Sequence, residues 1–235
     1  MTSELFGVSW GVARIARVVA AVVPHHVVQR GNRRQPVFFS IADYKAYLRL
    51  VAAWCAKERV EVWAYCLMTN HVHLVAVPEN EHGLARAIGE AHRRYTVRVN
   101  QRENWRGYLW QGRFSSSPLD EQYLLSAVRY VELNPVRSGL VERAWQYPWS
   151  SAAAHVRGRD DVLVKVKPML SRVTDWREYL STEPESTDVD LIRRHIRSGR
   201  PLGSSEFVET LEAKTGRALA PRKRGPKSRV RAGPS

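Results

Sequence analysis

Residues 60–78 read VEVWAYCLMTNHVHLVAVP. Two β-rich runs, Val60–Tyr65 and His71–Val77, flank the polar pair Thr69-Asn70, and Pro78 closes the second. β-branched and aromatic residues on either side of a short polar break predict two antiparallel strands joined by a tight turn. In the second run His71, His73, Val75 and Val77 alternate with Val72, Leu74 and Ala76. Side chains two apart on a strand share a face. His71 and His73 therefore present their imidazoles side by side, about 7 Å apart at the backbone, while Val72 points into a core.

The neighbouring segments extend this unit. His25–Arg30 is β-branched with polar residues between, a third strand, and Gly31-Asn32 breaks it into a loop carrying Arg33, Arg34 and Pro36. Ala42–Arg59 is a helix, with Tyr44, Tyr47, Leu48, Val51 and Cys55 at three- and four-residue steps. Gly83–Gln101 is a second, with Leu84, Ala87, Ile88, Ala91, Tyr95 and Val99 inward and Arg93, Arg94 and Arg98 on the other side, which suits either DNA or solvent. Tyr108–Ser117 reads as a strand and loop, and Asp120–Leu133 as a third helix ending before Asn134-Pro135. The order β α β β α β α predicts an α+β fold, an antiparallel sheet with helices packed on one face.

After this unit come the aromatic residues Trp145, Tyr147 and Trp149, then an acidic, polar stretch at 182–190. The expected organisation is one domain over residues 12–160, a connecting segment 161–190, a small helical extension 191–220 and a basic disordered tail 221–235.

The 235 residues carry 37 Lys and Arg against 23 Asp and Glu, a net charge of +14. Residues 213–235 hold eight basic residues and no acid, which leaves +6 on residues 1–212. Such an excess points to a polyanion partner, most often nucleic acid. No stretch reaches the roughly 20 apolar residues of a membrane helix, so no membrane partner is expected. Two cysteines, Cys55 and Cys66, cannot build a disulfide framework and lack metal-site spacing. They read as buried small hydrophobes in a cytoplasmic protein.

Chemistry can attach at two places. His71 and His73 suit two ligands of one metal, yet two histidines without a third ligand equally fit the solvent face of a strand. Tyr130 and Asn134 stand at i, i+4 on one helical face. A phenol can act as a nucleophile and an amide oxygen as a ligand. A phenol ionises near pH ~10, so attack at neutral pH needs a nearby cation. Taken singly, Tyr130 fits a core aromatic and Asn134 a helix end before proline.

The combination resembles the HUH single-tyrosine transposases, and more narrowly the REP-associated tyrosine transposases, relatives of small insertion-sequence transposases. The supporting motifs run in family order: PHHVVQRGNRRQ at 24–35, WAYCLMTNHVHLVAVP at 63–78, LWQGRFSSS at 109–117, YVELNPVRSGLV at 130–141 and YPWSSAAAH at 147–155. GRPLGSSEFV at 199–208 and KRGPK at 223–227 are similar to the C-terminal extension of longer members. The run at 12–17, VARIAR, resembles the family's opening with valine in place of methionine. Residues 1–11 are therefore expected to be a non-native extension ahead of a start at Val12.

The resemblance implies a nuclease and strand transferase that acts on hairpin-forming palindromic single-stranded DNA. It implies Tyr130 as the nucleophile, forming a 5′-phosphotyrosine link and releasing a 3′-hydroxyl. His71 and His73, with Asn134 as third ligand, would hold a divalent metal, Mg²⁺ or Mn²⁺; imidazoles favour Mn²⁺. Arg30, Asn32, Arg33, Arg34, Trp110 and Arg113 are the expected DNA contacts, cations for phosphates and an aromatic for bases. Arg222, Lys223 and Arg224 are expected to anchor phosphates nonspecifically. The protein would work as a monomer or homodimer near the nucleoid. Two rival readings are a domesticated hairpin-binding or regulatory protein that does not cleave, and a hydrolase without a covalent intermediate.

Overall fold

The computed structural model describes residues 15–182 and 184–221. Four antiparallel strands form one sheet in the order β2-β3-β1-β4: β1 His25–Arg30, β2 Val60–Met68, β3 His71–Pro78 and β4 Ser115–Pro118. The helices α1 Ile41–Lys57, α2 Gly83–Glu103 and α3 Glu121–Glu132 complete the expected order. The short α4 Asn134–Arg137, α5 Ala152–Arg157, α6 Lys167–Leu170 and α7 Trp176–Ser181 follow, then α8 Ser186–Ser198 and α9 Ser205–Thr215.

The fold is the expected α+β class. One detail differs: helices cover both faces of the sheet. Val27, Tyr65, Leu67, Val72, Leu74 and Ala76 pack against α1 and α2. Cys66, Met68 and Val75 pack on the opposite side against α3 and the later helices. A sheet with apolar side chains on both faces needs a layer on each. A bulge at Val62/Ala64 shifts the register of β2. It brings Val60 and Val62 to the same face as Tyr65 and Leu67, which strict alternation forbids.

Other boundaries moved for local reasons. β2 runs on to Met68, so the turn is only Thr69-Asn70. The strand expected at 108–117 shrinks to Ser115–Pro118, because Gly112 turns the chain at φ 61° and Trp110 pairs singly with Gly31. Residues 161–190 are no bare connector. Met169, Trp176 and Leu180 are buried in the second core, and Asp175 caps α7 by accepting from Arg177 N–H and Glu178 N–H. The acidic stretch at 182–190 already contains the start of α8. Residues 1–11 and the start at Val12 lie outside the described residues.

Candidate functional site

Register sets the site. Arg30 of β1 pairs with His71, Val28 with His73 and His26 with Val75. Side chains at 26 and 30 on β1 and 71 and 73 on β3 thus share the face over which α3 lies. The His71 and His73 rings are 5.0 Å apart. His26 joins them, with its Nε2 2.9 Å from His73 Nδ1. The Tyr130 ring meets both His26 and His73 edge-on at 5.9 Å. α3 and the sheet thereby bring Tyr130 against His73 and His26.

The three histidines are neutral at ordinary pH. Burial lowers His26 to about 3, with the Arg137 cation adding to the effect. Burial lowers His71 to about 4, with Arg30 adding. His73 lies well below the usual range, first through burial and then through its cationic and imidazole neighbours.

Two cations attend the tyrosine. The Arg137 guanidinium stands 4.2 Å from the Tyr130 ring centre, and its Nη2 donates to the Tyr130 carbonyl at 2.7 Å. That carbonyl belongs to the last turn of α3, where a cation also suits the helix dipole. Arg30, half-buried, is the second; the phenol's negative form raises its guanidinium pKa while burial lowers it more.

The arrangement fits a divalent metal. Asn70 Nδ2 donates to the Arg34 carbonyl at 3.0 Å, which fixes Asn70 Oδ1 as the atom facing His71. His71 Nδ1 then donates to Asn70 Oδ1 at 2.6 Å. His73 likewise engages a partner, His26, through Nδ1. In both rings Nε2 is the atom left for a metal, and an outer partner on the other nitrogen is how metal-binding histidines are oriented. Asn134 is buried at the start of α4, one turn beyond Tyr130, and its amide has no hydrogen-bond partner among the described residues. No group of three or more His, Cys, Asp and Glu side chains among the described residues makes a metal site. Asn134 is the amide that the sequence reading offers as a third ligand.

The expected DNA contacts divide. Arg33 and Arg34 are exposed on a 3-10 turn, Asn32–Arg34, both with left-handed backbone at φ 52° and 61°. Gly31 sets up this turn: a Cβ there would lie 2.2 Å from the Gln35 carbonyl oxygen. The turn is docked by Gly31 N–H to the Asn70 carbonyl and Asn32 N–H to the Leu109 carbonyl, both 2.8 Å. Arg113 is exposed. Trp110 is not a base-stacking platform. The residue is 6% exposed, with its ring stacked on His92 at 4.6 Å and packed near Tyr47 and Tyr95, so it belongs to the core between the sheet and α1 and α2. Arg93 and Arg94 on α2 pair with Glu90. Arg222, Lys223 and Arg224 lie outside the described residues.

Sequence reasoning missed His26 and Arg137. The alternation His26-Val27-Val28-Gln29-Arg30 was a usable signal, because it puts His26 and Arg30 on one face. Arg137 stands in the quoted motif, seven residues after Tyr130.

Residues 21–134 match the family described as "Transposase IS200 like". In its sheet, histidine pair and tyrosine this stretch is similar to the IS200-like transposases. Within that class the chain is similar to the REP-associated tyrosine transposases. One so named, from Haemophilus influenzae, is 28% identical over 108 residues, covering 41% of this chain and 61% of that relative's length. The match thus spans less than two thirds of the curated relative. The solved structure of a REP-associated tyrosine transposase bound to a REP hairpin shares the fold, with a TM-score of 0.54 and 19% identity over 66% of this chain and 93% of the other.

Proposed function

We propose that this chain is a metal-dependent endonuclease and strand transferase for single-stranded DNA, acting on hairpin-forming palindromes through a 5′-phosphotyrosine intermediate. The observation that carries the reading is Tyr130 held edge-on against His73 and His26, with the Arg137 cation over its ring. A structural neighbour is described with a REP hairpin bound, which supports the substrate class.

His71, His73 and Asn134 would hold the ion, Mg²⁺ or Mn²⁺, whose chemistry is Lewis-acid stabilisation of charge on the scissile phosphate. The chain's own groups do the rest. The Tyr130 hydroxyl attacks phosphorus; its bond to phosphorus forms as the bond to the 3′ oxygen breaks. The phenolic proton passes to solvent and the leaving 3′ oxygen takes one from solvent, so the departing strand ends as a 3′-hydroxyl with no net proton change. Arg137 and Arg30 place positive charge where negative charge develops. Reversal by a 3′-hydroxyl rejoins a strand without an outside energy source, since one phosphodiester replaces another. Asn70 and His26 hold the two histidine rings in orientation.

The test is Tyr130→Phe with a labelled hairpin oligonucleotide and Mn²⁺. Cleavage disappears while hairpin affinity stays within about twofold, because only a hydroxyl is removed. Cleavage by the variant would defeat the reading.

A further inference from the structure

Beside the basic turn lies a cleft of about 390 Å³ lined by Asn32, Arg33, Asn100, Trp105, Arg106 and Tyr108, among others. No carboxylate lines it among the described residues. α2 is capped by Asn104, whose left-handed backbone (φ 54°) ends the helix. The following residues form one wall of the cleft. Gly107, at φ 93°, lets the chain bend back toward Leu109, and its carbonyl accepts from Asn100 Nδ2 at 3.0 Å.

Two aromatic side chains on this wall face solvent. Tyr108 is 86% exposed and Trp105 is 45% exposed. Trp105 is braced edge-on against Phe39, itself partly exposed, at 5.6 Å. Burial of a large ring is the usual outcome of folding, so two exposed rings flanking cations in a polar cleft ask for a ligand. The opposite wall is the Asn32–Arg34 turn. Asn32 N–H bonds the Leu109 carbonyl, and Gly31 N–H bonds the carbonyl of Asn70, the residue that orients His71. The cleft is therefore built onto the same framework as the histidine pair.

We propose that this cleft is a nucleotide subsite: an unpaired base of single-stranded DNA stacks on Tyr108, and its phosphate lies on Arg33 and Arg106. Rings supply a face that every base can use, and guanidiniums supply the charge. The side-chain amide of Asn32 can meet a base edge. The subsite rests on the single-stranded DNA reading above and replaces Trp110, buried in the core, as the source of stacking.

Fluorescence anisotropy tests it with two probes, a labelled single strand of randomised sequence and a blunt DNA hairpin with no unpaired flank. Tyr108→Leu weakens single-strand binding roughly tenfold and leaves the blunt hairpin within about twofold. Tyr108→Phe, which keeps the ring, binds like the wild type. Arg33→Gln lowers the slope of log affinity against log salt by about one for the single strand. Tyr108 and Arg33 are both exposed, so none of these changes disturbs the core. Equal single-strand affinity for Tyr108→Leu and wild type overturns the subsite while hairpin cleavage still stands. Failure of the wild type to bind either DNA overturns both the subsite and the proposed function.

Discussion

At Asn70 a single side chain joins two parts of the site. Its Oδ1 receives the His71 ring and its Nδ2 holds the Arg34 carbonyl of the basic turn. Asn70→Ala frees the His71 ring to rotate and leaves its Nδ1–H unpaired. Loss of such an outer partner costs about tenfold or more in metal affinity. Titration calorimetry with Mn²⁺ is expected to show that loss with the fold intact by circular dichroism; undiminished affinity would count against the assignment of His71 as a ligand. At this scale much was legible. Strand alternation put His71 and His73 together, and helical spacing put Asn134 beyond Tyr130. Trp110 was misread because its neighbours Arg113 and Gln111 are polar, while the partners that bury it, His92, Tyr47 and Tyr95, are distant in sequence. His26 and Arg137 went unnoticed for the same reason: each gains meaning only from a partner on another element.

α3 must hold Tyr130 steady, and two residues later it carries a buried anchor. Glu132 is fully buried, and its carboxylate accepts from Ser151, from His155 Nδ1 at 2.7 Å and from Trp176 Nε1 at 2.8 Å. Three donors satisfy a carboxylate that burial would otherwise penalise heavily. This network ties α3 to α5 and α7, and so couples the tyrosine to residues beyond the matched domain. Removing one member leaves the others buried and unpaired. Glu132→Ala is expected to lower unfolding free energy by about 3 kcal/mol, measured by urea denaturation; a change under about 1 kcal/mol would mean the network is dispensable. The role of 161–190 was hidden because its helices are short and polar. Asp175-Trp176 followed by Leu180 was the available sign of a capped helix with two apolar side chains at i, i+4. On the other face, Arg102 of α2 bonds the buried Asp43 of α1 and locks the two helices.

For the molecule as a whole, burial of neutral histidines predicts acid sensitivity. Burial lowers His25 to about 4 and His92 to about 3, partly offset for His25 by its bond to the Val23 carbonyl. In the unfolded chain both rings take up a proton near pH ~6.5. Between that value and the folded ones the unfolded state holds more protons, so stability falls as pH drops. Each ring contributes up to about 1.4 kcal/mol per pH unit across that window. Denaturation midpoints measured between about pH 7 and pH 5 are expected to fall, and His92→Gln to show a shallower decline; a flat profile would contradict the buried neutral rings. Among the described residues no helix is long and apolar enough to cross a membrane. The sheet with its α+β class was legible because its strands alternate or run apolar over short spans. The second helical layer was not, since its packing depends on long-range contacts to β2 and β3. The central claim is a covalent bond between DNA and Tyr130. The direct measurement is mass spectrometry after incubation with a hairpin oligonucleotide and Mn²⁺, denaturation, and digestion by nuclease and protease. A nucleotide phosphate is expected on the peptide containing Tyr130 and absent from Tyr130→Phe; a hairpin cleaved with no modified peptide, or an adduct on another residue, would contradict Tyr130 as the nucleophile.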